Sequence, residues 1–393
     1  MNRRQFLHTT AASLVCASTR TLADDEALAR LAGHKLQSIE LKRVPLPWPR
    51  EVGKNSKLDR HGKGPTLTCA VVKTDQGAMG WGDFSGRQEA AAELTAKLRG
   101  KPVSELIDPV TGILNRDWRP LDIALHDLAG VILGQPVWKM LGAREPHLYP
   151  IYSGMVYFDD LDPADKPAGI DLVLKNCAAD REMGYRQLKV KVGRGGKWMP
   201  ADAGLKRDIE VMREITKAFP DCQLLIDAND AWNVDTTIAF LKGIEGIPLV
   251  WIEEPFVESD RAWRKLHQWV QNTPYKNTWL ADGEQYNDFP MLDKLEADGI
   301  LDVRLTDIIG HGFTPWRGWM PRLVKTGTLA SPHCWGSGLS TIYAAHLVGG
   351  LGNGSTVEGV SCTHEHVDFG ENVIRDGKLQ LSSKPGFGLT LRS

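Results

Sequence analysis

No stretch of this chain approaches the roughly 20 consecutive apolar residues that a membrane-spanning helix needs, so no span is expected and the mature protein should be soluble. Nor is there an excess of one charge. Lysine and arginine number 47 against 49 aspartates and glutamates, and a net charge of -2 gives no general attraction to nucleic acid. Cysteine is scarce. Beyond the extreme N-terminus there remain Cys69, Cys177, Cys222, Cys334 and Cys362, an odd and scattered set that reads as buried thiols rather than a disulfide framework. Internal low-complexity segments are absent too. These exclusions leave a globular composition, 42% hydrophobic over 393 residues, with the length for two domains and a sizeable core.

The N-terminus is of a different kind. Asn2-Arg3-Arg4-Gln5-Phe6-Leu7, followed by a mildly apolar stretch from Thr9 to Ala17, has the charged and apolar regions of an export signal. Paired arginines before Phe-Leu point to the twin-arginine route, and hence to the periplasm. A signal over residues 1–23 is expected, although Arg20-Thr21-Leu22 is not a clean small-residue cleavage site.

The rest of the chain is organised around Leu188-Lys189-Val190-Lys191-Val192-Gly193. Strand side chains alternate between faces, so Lys189 and Lys191 point one way while the three apolar residues point the other. Six further apolar runs follow, each ending in an acid or an imidazole: they close on Asp227, on Glu253-Glu254, on Asp282 and Glu284, on Asp307, on His333 and on Glu358. They recur after about 23 to 36 residues, room for a strand, a helix and two loops, as in parallel strands with helical crossovers. The spacing predicts a (β/α) barrel over residues 149–360, its first strand at Leu148 to Tyr152 and its clearest helix from Ala201 to Phe219. In such barrels chemistry sits at the C-terminal ends of the strands, where every one of these caps falls.

Residues 34–148 read as an α+β domain. Strands are expected at Lys35 to Lys42 and Leu67 to Lys73, with helices at Arg87 to Arg99 and Leu121 to Leu133. Between the two strands runs a long loop, Pro45 to Pro65, with Arg50, Lys54, Lys57, Arg60, His61 and Lys63. Loops of this length in a compact domain are usually functional or disordered, and its basic residues read equally well as a solvated face. Residues 361–393 return to strand chemistry and are expected to pack back on the N-terminal domain.

Taken in order, Lys189-x-Lys191, Asp227-x-Asn229, Trp251-Ile252-Glu253-Glu254-Pro255, Gly283-Glu284, Asp307, Ser331-Pro332-His333 and Glu358 resemble the enolase superfamily, specifically its mandelate racemase branch. The likeness extends over almost all of the mature chain, including Leu125-His126-Asp127-Leu128-Ala129 and Gly134-Gln135-Pro136 in what the resemblance makes a capping domain. It implies Mg²⁺ held by Asp227, Glu253 and Glu284. Three strand-end carboxylates suit that hard, oxygen-seeking ion, with Asp282 a competitor on the same strand face as Glu284 and Glu254 directed away from Glu253.

The resemblance also implies the roles of the remaining groups. Lys189 is a cation beside the substrate carboxylate, and Lys191 is a base whose pKa the crowded positive charge pushes down. His333, oriented by Asp307, is the acid or base on the other side, and Glu358 is a protonated hydrogen-bond donor. Asn229, Lys189, Arg60 and His61 are expected to bind a small-molecule carboxylate, in a protein expected to be a homo-oligomer. One departure is Ile308-Ile309-Gly310-His311 where the family has a Gly-Gly turn, which places His311 within possible reach of the pocket. The sixth strand also lacks the lysine of the muconate-lactonising and dipeptide-epimerase branches. The implied activity is removal of a carboxylate's α-proton to give an enediolate, foremost in dehydrating a sugar acid to a 2-keto-3-deoxy acid. The alternatives are a racemase of 2-hydroxy acids and a non-catalytic periplasmic binder.

Overall fold

The computed structural model describes residues 22–284 and 288–392. Most of the expected export segment therefore lies outside the described residues. A helix, Leu22–Ala32, leads into an antiparallel sheet of three strands, Leu36–Pro45, Thr66–Thr74 and Met79–Asp83. Helix Asp122–Leu133 lies directly on that sheet, because Gly80 and Gly82 supply no side chain there. A Cβ at Gly80 would come within 2.3 Å of the Leu128 backbone, and one at Gly82 within 2.4 Å of Ile123 Cγ2. Leu125, Leu128 and Ala129 of this helix are wholly buried, and it stops at Gly134 in the left-handed conformation, φ 67°.

Eight parallel strands follow: Ile151–Val156, Gln187–Lys191, Gln223–Asp227, Leu249–Glu253, Trp279–Asp282, Val303–Arg304, Leu329–Ala330 and Val357–Gly359. The second to the seventh each pair with the strand before, and the eighth lies beside the first, Val357 opposite Ile151. A parallel bridge from Ala330 to Gly354 joins the seventh strand to the approach of the eighth, which completes the ring. Among the described residues a helix fills each interval between strands, as in Ala201–Ala218, where Val211, Met212 and Ile215 are buried at helical spacing.

The first strand is a correction. Leu148 to Tyr152 was expected, yet the strand runs Ile151–Val156, three residues later. All six of its residues are buried, so no alternation marks its start.

Alternation governs the barrel interior. Tyr152, Leu225, Trp251, Ala281, Val303, Leu305 and Leu329 form an apolar plug inside the ring, while Leu188, Val190, Leu224, Ile226 and Ile252 face the helices. Two residues above Leu225 and Trp251 come Asp227 and Glu253, so the charged layer rests on a packed floor. The C-terminal tail returns to the N-terminal domain: Phe387 N donates to Asp127 Oδ1 at 2.8 Å, Val137 N to Gly386 O at 2.8 Å and Trp138 Nε1 to Ser382 O at 2.9 Å. The five cysteines among the described residues are free thiols, with Cys69, Cys177 and Cys334 buried. No described helix is long and apolar enough to cross a membrane.

Candidate active site

Register brings the lysines and acids together. Lys191 stands opposite Asp227 in the second and third strands, and Asp227 opposite Glu253 in the third and fourth. Asp227, Glu253 and Glu284 each offer an oxygen, all within 4.8 Å of one another. Glu253 Oε2 is buried and accepts no hydrogen bond among the described residues. Burial and the Asp227 charge push its carboxyl up to about 8. A buried acid with an idle oxygen beside two others fits a hard divalent cation such as Mg²⁺.

Glu284 and not Asp282 joins this group, for a reason that simple alternation misses. Asp282 points to the helix layer, where Trp263 Nε1 donates to its Oδ2 at 2.8 Å. Gly283 then takes φ 110°, which breaks the alternation and returns Glu284 to the barrel axis. Glu254 is turned aside from Glu253 by its own left-handed conformation, φ 38°, and accepts from Asn229 Nδ2 at 3.4 Å. Asn229 and Asp230 are left-handed as well, so three strained non-glycine residues adjoin Asp227 and Glu253. Asn229 N donates to Asp227 Oδ1 at 2.9 Å and its amide holds Glu254, so it shapes the acid cluster.

Both lysines are buried. Lys189 Nζ lies 2.8 Å from Glu253 Oε1, 3.1 Å from Glu358 Oε1 and 3.3 Å from Asp227 Oδ2. Lys191 Nζ donates to Asp227 Oδ2. The expected lowering of the Lys191 pKa is not what the structure gives. Burial and Lys189 act in that direction, but the charges of Asp227 and the other acids outweigh them and hold it above the ordinary lysine value.

Across the acid cluster, His333 Nδ1 donates to Asp307 Oδ2 at 2.9 Å. Its Nε2 faces Glu284 Oε1 at 3.4 Å and Glu358 Oε2 at 3.8 Å. Burial opposes the imidazolium, yet Glu284, Glu358 and Asp307 together raise its pKa to about 10. Asp307 is itself fixed as the cap of the turn Ile308–His311, accepting from Gly310 N. Glu358 corrects the expectation of a protonated donor. Burial works against ionisation, but Lys189, His333 and the Cys334 N–H at 2.9 Å hold it below its ordinary value, as an accepting carboxylate. Gly154 leaves room for it, since a Cβ there would sit 2.8 Å from Glu358 Oε1.

The 45–65 loop covers the mouth. Ser56 Oγ donates to Ala228 O at 2.8 Å, Lys57 pairs with Asp230 at 2.6 Å and Trp48 Nε1 donates to Gly336 O at 3.1 Å. His61 packs against Tyr157 and Trp335, ring centroids 4.7 and 5.8 Å apart, and donates from Nδ1 to Gly53 O at 2.8 Å. Burial chiefly, and the nearby Lys191 charge, keep its pKa below the ordinary value. Arg60 is not beside it in function: its guanidinium turns outward to Asp162 at 3.2 Å and Glu51 at 3.5 Å, which removes it from the expected substrate contacts. His311 stands edge-on to Phe289 and Trp319, at 5.3 and 5.9 Å, instead of joining the acid cluster.

Sequence reasoning missed the aromatic wall. Lys191 Nζ lies 5.4 Å from the centre of the Tyr157 ring, which packs at a tilt against Trp335, centroids 4.9 Å apart. A first strand placed three residues too early hid both Gly154 and Tyr157.

Residues 173–393 match the enolase C-terminal domain-like family. L-talarate/galactarate dehydratase of Salmonella typhimurium is 26% identical over 410 residues, covering 95% of this chain and 92% of that protein. L-galactonate dehydratase of Hypocrea jecorina is 26% identical, covering 84% of this chain and 80% of its own length. Among solved structures, galacturonate dehydratase from Geobacillus sp., complexed with D-galacturonate and 5-keto-4-deoxy-D-galacturonate, superposes with a TM-score of 0.84. It is 31% identical, with 92% of this chain and 95% of that chain covered. A point mutant of the same enzyme, complexed with Mg, gives 0.85 at 30% identity and covers 92% of this chain and 93% of that chain.

Proposed function

Because the chain belongs to the enolase C-terminal domain-like family, we propose that it is a Mg²⁺-dependent lyase that dehydrates a sugar acid to a 2-keto-3-deoxy acid. One observation carries this reading: Lys191 and His333 stand at opposite edges of the Asp227, Glu253 and Glu284 cluster, the first paired with Asp227 and the second facing Glu284. Those three acids would hold the ion. When bound, Mg²⁺ supplies positive charge to the substrate carboxylate and the enediolate, and offsets the Asp227 charge that otherwise keeps Lys191 protonated.

The remaining work belongs to the chain. Lys189 adds a cation beside the carboxylate. Lys191, as the neutral amine, takes the α-proton from one face, and the electron pair left behind expels the β-hydroxyl. His333, an imidazolium steadied by Asp307, gives that hydroxyl its proton so that water leaves, and the enol then loses its hydroxyl proton as its β-carbon takes one up, which makes the keto acid. His61 and the Tyr157–Trp335 wall close the pocket above Lys191 and confine the substrate. A second reading, racemisation of a 2-hydroxy acid, is favoured by the same pair of groups on opposite faces.

The deciding experiment is a screen of hexonates, pentonates, deoxy sugar acids, uronates and diacid sugars with Mg²⁺ for 2-keto acid formation, with polarimetry and ²H exchange in parallel. Formation of a keto acid supports the lyase. Change of rotation with exchange and no keto acid supports the racemase, and binding with neither leaves only a carboxylate binder.

Two further readings rest on other grounds. Export to the periplasm is supported by Arg3-Arg4 followed by Phe6-Leu7, and predicts that Arg3→Lys with Arg4→Lys leaves the protein in the cytoplasm. A double variant still found in the periplasm defeats it. Assembly as a homo-oligomer rests on the family resemblance, and a monomer mass by light scattering defeats that.

A further inference from the structure

Arg194 is 0% exposed, a rare place for an arginine, and it lies three residues beyond Lys191. Between them Gly193 turns the chain at φ 101°, tight against the turn that follows Asp227, where a Cβ would come within 2.7 Å of Ala231 Cβ. The guanidinium is gripped from two sides. Nη2 lies 2.6 Å from Asp160 Oδ1, in the segment after the first barrel strand, and Nη1 lies 2.7 Å from Asp208 Oδ1, in helix Ala201–Ala218. The Phe158 ring lies 4.3 Å from its Cζ.

These bonds converge on the backbone that carries the base. Arg194 Nη1 also donates to Lys191 O at 3.4 Å, while Asp208 Oδ2 accepts from Gly193 N at 2.9 Å and Arg194 N at 3.2 Å. Asp160 is steadied in turn, by Arg207 at 3.4 Å and through its neighbour Asp159, which accepts from Asn176 Nδ2 at 2.9 Å and from Gly53 N of the covering loop at 2.8 Å. Stability alone does not call for such a cluster, since buried ion pairs are often replaceable by apolar packing at no loss. What a planar, multiply bonded guanidinium gives is direction.

We propose that Arg194 is a positioning residue for Lys191: with Asp160 and Asp208 it fixes the end of strand Gln187–Lys191 at the depth where the lysine meets the substrate α-carbon. This rests on the α-proton abstraction proposed above. Displacement of a catalytic group by about 1 Å can cost on the order of a hundredfold in rate, so a loosened strand end should act on turnover and not on binding.

The test compares Arg194→Met, Arg194→Lys and Asp208→Asn in the full-length, Mg²⁺-loaded enzyme, with folding followed by circular dichroism and Mg²⁺ affinity by calorimetry. Arg194→Met should lower kcat by roughly ten- to a hundredfold, with KM and Mg²⁺ affinity within about twofold, and Arg194→Lys should recover part of the loss. Exchange of an α-proton facing Lys191 should fall with kcat, while exchange in the substrate of opposite configuration, facing His333, should persist. An equal fall on both faces overturns the proposal, as does an unchanged kcat. If both Arg194→Met and Asp208→Asn fail to fold, the cluster is structural and the proposal is overturned. A wild-type enzyme that exchanges no α-proton from any acid sugar defeats the functional reading itself, and the positioning role with it.

Discussion

Glu284 Oε1 and His333 Nε2 face one another across 3.4 Å, so the imidazole bound to Asp307 through Nδ1 turns its other nitrogen toward the acid cluster. The cation site and the second proton-handling group are therefore adjacent. Glu284 has a place in both, and its replacement should be felt twice.

Glu284→Gln is expected to weaken Mg²⁺ binding by at least about tenfold and to abolish turnover, because one ligand loses its charge and His333 loses a partner. Asp282→Asn should change Mg²⁺ affinity by less than about twofold, since its carboxyl accepts from Trp263 Nε1 at 2.8 Å and an amide oxygen can take that bond. Calorimetric titration of both metal-free variants decides the matter. Equal losses would return Asp282 to the ligand set.

That pair also marks how far the sequence could be read. Lys189 and Lys191 were legible because a strand in a ring has a strict inside and outside, and the strand-end acids because all strands of a parallel barrel end at one mouth. Asp282 and Glu284 were not separable, since alternation presumes extended backbone and Gly283 departs from it at φ 110°. The first strand slipped by three residues for a related reason: a strand buried on both faces carries no period of two. The direction of Arg60 is not legible, because charge in a loop does not reveal where a side chain turns, and only the positions of Asp162 and Glu51 show it.

The junction of the barrel with the tail should be acid-sensitive. His346 lies wholly buried beside Phe387, with ring centroids 5.2 Å apart, and burial lowers its pKa to about 3. An exposed histidine in the unfolded chain titrates near 6.5, so between pH 6.5 and 3 the unfolded state takes up a proton that the folded state refuses. Stability present above pH 6.5 is thus lost as the pH falls. Between pH 6.5 and 4.5 the loss from this residue should be roughly 1 to 3 kcal/mol, and His346→Gln should show a correspondingly flatter dependence in denaturant titrations. Identical pH slopes for the two proteins would sink the assignment.

The two catalytic faces make the last prediction. Lys191 pairs with Asp227 and His333 with Asp307, so each proton-handling group has its own acid and the loss of one leaves the other in place. For a substrate whose α-proton faces Lys191, Lys191→Ala should abolish both dehydration and exchange of that proton with ²H₂O. His333→Asn should lower dehydration by roughly a hundred- to ten-thousandfold, because the departing hydroxyl loses its acid, yet should keep exchange, because the lysine and the cation site remain. A substrate of the opposite α-configuration exchanges the two roles. In a racemase each variant would instead retain exchange with one enantiomer alone, so the same two proteins separate the two activities. Wild-type turnover in both variants, folded and loaded with Mg²⁺, would remove Lys191 and His333 from the chemistry and leave the acid cluster as a carboxylate-binding site only.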